Sequence, residues 1–193
     1  MRARRLVVVI AVVVACRDAE PARDPHVAAR PSPTAVAPPP DAGLVFIQQT
    51  EASDCGPAAI AMTLSYYGRP TTLDASKAAT HFHADGTTAL DLVQAAEAGG
   101  LGATGIAAEA DAVLPVLRTG DILHFDFNHF VVFDALVADG VRLVDPSEGH
   151  QVIDRAAFAQ HFTGVALLFE RSPAALEARK RSIHLAPAAG PRR

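Results

Sequence analysis

The segment Asp54-Cys55-Gly56-Pro57-Ala58-Ala59-Ile60-Ala61-Met62-Thr63-Leu64-Ser65-Tyr66-Tyr67-Gly68 reads as a helix whose first residue is a cysteine. Asp54 stands as its N-cap, Pro57 falls in the first turn where a missing N–H costs little, and Gly68 with Pro70 stops it. Ile60, Leu64 and Tyr67 recur at helical spacing and are expected to face a core. The dipole and free N–H groups at such a start favour thiolate, the form of cysteine that attacks carbonyls. Considered alone, Cys55 is as readily a small buried hydrophobe. The rest of the chain has to decide between the two.

Downstream, residues 73–82 and 89–98 read as further helices, the second with Thr88 and Asp91 at capping-box spacing and Gly99-Gly100 ending it. A short helix is expected over 111–118, with Pro115 in its interior. From Asp121 the period changes to two. Residues 122–127 alternate, with Leu123, Phe125 and Phe127 on one face and His124 and Asp126 on the other. Residues 129–137 form a nearly continuous apolar strand, turned by Ala138-Asp139-Gly140 into 141–145. The Asp145–Gly149 stretch is a second turn leading to 151–153; Asp154 caps a short helix to 162, and 165–169 is a last buried strand. A β-type run at 44–47 precedes all of these. Helices first and an antiparallel sheet after them predict an α+β domain over residues 44–170.

A thiolate nucleophile needs a proton shuttle, and His is the usual one. Of the eight histidines, His26 and His184 lie in the terminal segments. His81, His83, His150 and His161 lie at helix ends, in a turn or on a peripheral helix. His129 opens an apolar strand, so its ring can emerge at a sheet edge held by a rigid core. His124 sits mid-strand on the polar face, which suits a surface or supporting role. The shuttle also needs an acceptor for its other ring nitrogen. Asp145 ends the strand antiparallel to that of His129 and is the best-placed carboxylate, although Asp before Pro also opens turns. Gln49, six residues before Cys55, is the candidate amide donor to an oxyanion, alongside the backbone N–H of Cys55. An ordinary surface glutamine is the alternative, and Gln48 beside it shows that spacing does not decide.

Working back to the N-terminus, Met1 to Arg5 is basic and Leu6 to Ala15 is an unbroken apolar run, the order of a secretory signal. The run is about half the roughly twenty residues that span a bilayer as a helix. It ends in Val13-Val14-Ala15-Cys16, which resembles a bacterial lipobox, so residues 1–16 are expected to be a signal peptide with Cys16 acylated. A conventional signal peptide with an incidental Cys16 is the alternative. Acyl chains on Cys16 anchor a domain in the cell envelope, outside the inner membrane, without spanning it. Residues 17–43 are rich in Pro and Ala and read as a semi-rigid tether. Residues 171–193 form a basic tail, expected to be a solvated helix with a disordered end.

Bulk properties narrow the class. The 193 residues are 50% hydrophobic and 20% charged, a globular composition. The net charge of -4 gives no reason to expect a nucleic-acid partner. Cys16 and Cys55 are the two cysteines, so no disulfide framework is expected. His81, His83 and Asp85 offer metal-ligand types but lack a further thiol or His at metal spacing. No metal and no cofactor is expected.

These motifs resemble the bacterial cysteine peptidases that remove double-glycine leaders from bacteriocin precursors. The family's first motif, a Gln, four residues and Asp-Cys-Gly, is matched by Gln49-Thr-Glu-Ala-Ser-Asp54-Cys55-Gly56, with Tyr66-Tyr67-Gly68 closing the helix. Gly86-Thr-Thr88 and Leu92 to Leu101 resemble its middle segment. His129-Phe-Val-Val132 resembles the histidine motif, Val144-Asp145-Pro146 with Gly149 the aspartate motif, and Phe162-Thr163-Gly164 the start of the closing strand. The resemblance implies a papain-like fold with Cys55 as nucleophile, His129 as general base and then acid, Asp145 as its orienter and Gln49 as oxyanion donor. It implies peptide hydrolysis through an acyl-enzyme, after Gly-Gly or other small residues. The partners implied are a peptide or protein substrate, with a Gly-Gly leader as one class, and a separate export transporter.

Departures limit what carries over. Well-known members are N-terminal domains of export transporters, and the sequence here holds no membrane bundle and no phosphate-binding Gly-rich loop. Asp74-Ala-Ser-Lys77 stands where the family commonly has a Leu-Arg pair. The alternatives to a peptidase are a binding module that holds such peptides uncut, and a thiol amidase or acyltransferase using the same residues.

Overall fold

Residues 43–185 are described by the computed structural model. The signal-type segment with Cys16, the tether up to residue 42 and the tail from 186 lie outside the described residues.

Helix α1, Cys55–Tyr66, is buried on every side from Cys55 to Leu64, where the spacing of its large apolar residues predicts a single core-facing stripe. Its residues explain this: no charge occurs in it, and its one deeply buried hydroxyl, Thr63, donates to the Gly120 carbonyl at 2.9 Å. Helix α2, Leu73–Ala79, starts on Thr72, whose side chain accepts from the Ala75 N–H. It stops earlier than predicted, because His81 takes a left-handed φ of 48°. Helix α3, Ala89–Ala98, carries the predicted Thr88–Asp91 capping box. The helix expected over 111–118 is a short α4, Ala110–Val113, passing into a 3-10 turn at Leu114–Val116 around Pro115.

The strands are β1, Gly102–Ala107; β2, Ile122–Phe125; β3, His129–Val137; β4, Gly140–Asp145; β5, Gly149–Ile153; and β6, Phe162–Glu170. They form one six-stranded sheet in the order β1-β6-β2-β3-β4-β5, antiparallel at every pairing. Helix α5, Arg155–His161, precedes β6, with Asp154 accepting from the Ala157 N–H. Helix α6, Pro173–Leu185, follows it.

Alternation along the strands splits the core in two. Ile122, Val132, Val144, Leu167 and Phe169 pack with α1 and α3 on one face. Leu123, Val131, Phe133, Leu143, Ala166 and Leu168 pack with Val113, Phe158 and Leu176 of the other helices on the opposite face. A sheet covered on both faces explains why β3 reads as a continuous apolar run.

Three expectations need correction, and one strand was not foreseen. Residues 44–47 form no strand. Residues 126–127 do not continue β2: Asp126 and Phe127 take φ of 51° and 64°, the Asn128 N–H bonds the Phe125 carbonyl, and Phe127 is 84% exposed. Strand β1 goes unread in the sequence because its two glycines dilute the strand signal. The helix of the basic tail is packed, not solvated, with Leu176 and Arg179 buried.

Candidate active site

Cys55 is the first residue of α1 and 5% exposed, and its N–H stands outside the helix's own hydrogen bonds. Asp54, expected to cap this helix, makes no side-chain cap. Its carboxylate turns back to accept from the Thr50 and Glu51 N–H groups at 3.1 Å each, and Lys77 Nζ lies 2.8 Å away. Burial works to raise the Asp54 carboxyl, but Lys77 and the Thr50 and Glu51 donors outweigh it and hold it below the usual range. The consequence is local order. The loop carrying Gln49 is tied to the residue that precedes the nucleophile.

His129 opens β3 and Asp145 ends β4. Val132 pairs with Val144, so one step outward sets Val131 beside Asp145, with His129 at the next position on that face. His129 Nε2 meets Asp145 Oδ1 at 3.0 Å. Burial of the ring opposes its charge, but the Asp145 carboxylate bonded to it and the influence of the Cys55 sulfur raise His129 to about 10. Burial also works to raise Asp145, yet His129 and Ser147 lower it to about 2. Ser147 donates twice to Asp145 Oδ1, from its N–H and its hydroxyl, at 2.7 Å each. The predicted turn at Asp145-Pro146 and the bond to the His129 ring therefore coexist in one residue.

Gln49, not Gln48, is tied to this group: its N–H donates to the Pro146 carbonyl at 2.9 Å. Its side-chain Nε2 donates to the Glu51 carbonyl at 3.0 Å, and its Oε1 is buried without a partner. Cys16, the fifth residue singled out, lies outside the described residues. Three further side chains join the site: Asp54, expected as a cap, and Ser147, which sequence reasoning missed, act as ties, and His124, expected in a surface or supporting role, has its Nδ1 2.8 Å from Thr163 Oγ1. Their positions are readable in the sequence, but the partners that give Asp54 and His124 their contacts, Lys77 and Thr163, are met only by folding.

Cys55 opens onto a cleft of about 580 Å³, lined by Ala52, Ser53 and residues 84–89 together with His124, Phe127, Asn128 and Phe130. A nucleophile at a helix start, an imidazole held by a carboxylate and an adjoining cleft make an arrangement suited to acyl transfer. Among the described residues no three His, Cys, Asp or Glu side chains converge so as to hold a metal ion.

Residues 44–174 match the model of the Peptidase C39 family. The colicin V secretion/processing ATP-binding protein CvaB of Escherichia coli is 36% identical over 121 residues, 63% of this chain and 17% of that protein. An uncharacterized protein of Methanothermobacter thermautotrophicus is 32% identical over 130 residues, 66% of this chain and 89% of its own length. Among solved structures, a double glycine motif protease from an AMS/PCAT transporter, in complex with the leader peptide, is similar at a TM-score of 0.63. It is 33% identical, over 65% of this chain and 90% of that one. The peptidase domain of Streptococcus ComA shares the fold at a TM-score of 0.60 and 24% identity, over 66% of this chain and 96% of that one. The α+β fold is thus papain-like, as the resemblance implied, and the chain belongs to the Peptidase C39 family of cysteine peptidases.

Proposed function

We propose that this protein hydrolyses peptide bonds after Gly-Gly or other small residues, as an endopeptidase, through an acyl-enzyme on Cys55. The observation that carries the reading is the 3.0 Å bond of His129 Nε2 to Asp145 at the end of β4, with Cys55 felt by the same ring. With Nε2 engaged, Nδ1 is the nitrogen left to serve the sulfur. The substrate class is drawn from the 33% identical relative, described as a double glycine motif protease bound to its leader peptide.

Each step follows from these positions. The Cys55 thiolate adds to the scissile carbonyl carbon, and the charge that develops on its oxygen is met by the Cys55 N–H and the Gln49 amide. The Nδ1–H of the His129 imidazolium then protonates the departing amine, leaving a thioester. Neutral His129 next takes a proton from water as it attacks the thioester, and keeps that proton while the sulfur leaves as thiolate, which restores the starting ion pair. Throughout, Asp145 fixes the ring and offsets its charge.

A thiol-directed activity probe should label Cys55, and His129→Ala should abolish the labelling. Mass spectrometry of Gly-Gly peptides incubated with the protein should show fragments ending in Gly-Gly. Peptides that stay intact, or labelling indifferent to His129, would overturn the reading. From residues 1–16 alone we further infer a lipid anchor on Cys16, facing outward from the inner membrane. Cys16→Ser should then prevent palmitate incorporation and release the domain from membranes; unchanged incorporation would refute the anchor.

A further inference from the structure

Strand β2 brings an imidazole that the chemistry above leaves unused into the cleft onto which Cys55 opens. His124 lines it near Cys55, Thr87 and Asn128, and its ring lies tilted against Phe130 with centroids 5.0 Å apart. Its surroundings fix where its proton sits. Thr163 Oγ1, on the neighbouring β6, is 3.0 Å from the His124 carbonyl oxygen and 2.8 Å from His124 Nδ1. A carbonyl only accepts and a hydroxyl has one proton, so that proton goes to the carbonyl. Thr163 Oγ1 therefore accepts from Nδ1–H. The neutral ring is left with a bare lone pair on Nε2, which no described residue meets with a hydrogen bond. Burial, and then the charge of His129, push the His124 ring below its usual range and keep it in that neutral form.

We propose that His124 is a substrate-binding residue, whose Nε2 accepts a hydrogen bond from a main-chain N–H of the peptide lying in the cleft. This rests on the peptidase reading above and adds to it. A Gly-Gly segment brings no side-chain donor to the cleft, so its main-chain amides are what a wall residue has to grip. A neutral acceptor suits an amide N–H, whereas a protonated ring has only donors to offer. With Nδ1 held on β6 and the ring held against Phe130, the acceptor is fixed before substrate arrives, which limits the ordering cost of binding.

The experiment uses the full chain and a peptidyl Gly-Gly aminocoumarin amide. In a matched series, ester oxygen replaces one peptide N–H at a time. In the unsubstituted protein one ester position should lower kcat/KM about fivefold, the size of one neutral hydrogen bond, and mainly through KM. In His124→Phe, which keeps a ring against Phe130, the all-amide substrate should show a similar rise in KM, and the ester penalty at that position should vanish. Thr163→Val, which frees both ring tautomers, should give a smaller rise and a smaller penalty. The rate of Cys55 alkylation by iodoacetamide reports in each variant that the Cys55–His129 pair is formed. Ester penalties equal in all three proteins would overturn the proposal. If His124→Phe alkylates abnormally, Thr163→Val decides alone, and an undiminished penalty there overturns it. Failure of the unsubstituted protein to cut any all-amide substrate would instead sink the peptidase reading.

Discussion

Two ion pairs sit in different parts of this fold and handle the same charges differently. Next to the cleft, behind Asn128 and Phe130 of its wall, His129 meets Asp145, with side chains 22% and 16% exposed. Beneath α6, Arg179 meets Asp121, with side chains 1% and 0% exposed. Asp121 also accepts from the Arg118 and Phe169 N–H groups at 2.8 and 3.0 Å. Arg179 donates to the carbonyls of Val116 at 2.7 Å and Phe169 at 3.2 Å. Burial pushes the Asp121 carboxyl up against all of these donors, whereas at Asp145 the donors prevail over burial and bring it to about 2. The buried pair spends its hydrogen bonds on joining the 3-10 turn, β6 and α6. The cleft pair keeps one ring nitrogen of its cation free of the carboxylate, so its charge can move with a proton. Depth and leftover valence separate a clamp from a pair that can exchange a proton.

That contrast breaks most sharply under truncation. His129→Ala should lower kcat/KM by about 10²- to 10⁴-fold, the usual worth of a proton shuttle, while thermal denaturation shifts by only a few degrees. Arg179→Met should do the reverse. Leaving Asp121 buried and unpaired costs about 3–5 kcal/mol of stability, measured by urea unfolding, with activity kept wherever the protein is folded. The deficit should shrink in acid, because the folded variant then takes up a proton on Asp121, whose folded pKa lies above its unfolded 3.8. Similar stability losses from both variants would erase the distinction.

Asp145→Asn sharpens it further. His129 at about 10 lies above its ordinary 6.5, so its contribution to stability is complete below 6.5 and lost as pH rises through 10. Asp145 at about 2 lies below its ordinary 3.8, so its contribution is complete above 3.8 and lost as pH falls through 2. The asparagine keeps an acceptor but removes the charge. The basic limb of kcat/KM, where the imidazolium is lost, should therefore move down from about 10 by more than a unit. An unmoved limb would mean that Asp145 does not set the charge of His129.

The same contrast governs what could be read from the sequence. Helix α3, the β3–β4 hairpin and the helix start at Cys55 are local, and capping residues, period and turn chemistry announce them. His129 and Asp145 were legible because hairpin register alone brings them close. Arg179 was not, since a basic run reads as solvated; its burial comes from lying three residues after Leu176 on one face of α6. Asp54 looked like a cap because its position fits one, but Lys77 and the Thr50 and Glu51 N–H groups compete for the carboxylate and win. Phe127 looked like a strand residue because alternation continues through it, while the turn is set by Asp126, whose N–H bonds the His161 carbonyl and whose carboxylate meets His161 Nδ1 at 2.9 Å. A partner distant in sequence takes part in each of these cases, Lys77 at Asp54, Asp121 at Arg179 and His161 at Asp126.

The mildest change probes how the cleft carboxylate is held. Asp145 Oδ1 receives the His129 ring, the Ser147 N–H and the Ser147 hydroxyl. Ser147→Ala removes one of the three and leaves the turn's backbone bond in place. The Asp145 carboxyl should rise from about 2 toward its ordinary 3.8, so the acid edge of stability moves up in pH. Activity at neutral pH should fall only about twofold to tenfold, in kcat more than in KM, as befits one neutral hydrogen bond acting through the carboxylate. Ser147→Thr, which keeps the hydroxyl, should restore both. If the alanine variant instead behaves like Asp145→Asn, the orienting function belongs to the turn as a unit and not to the carboxylate alone.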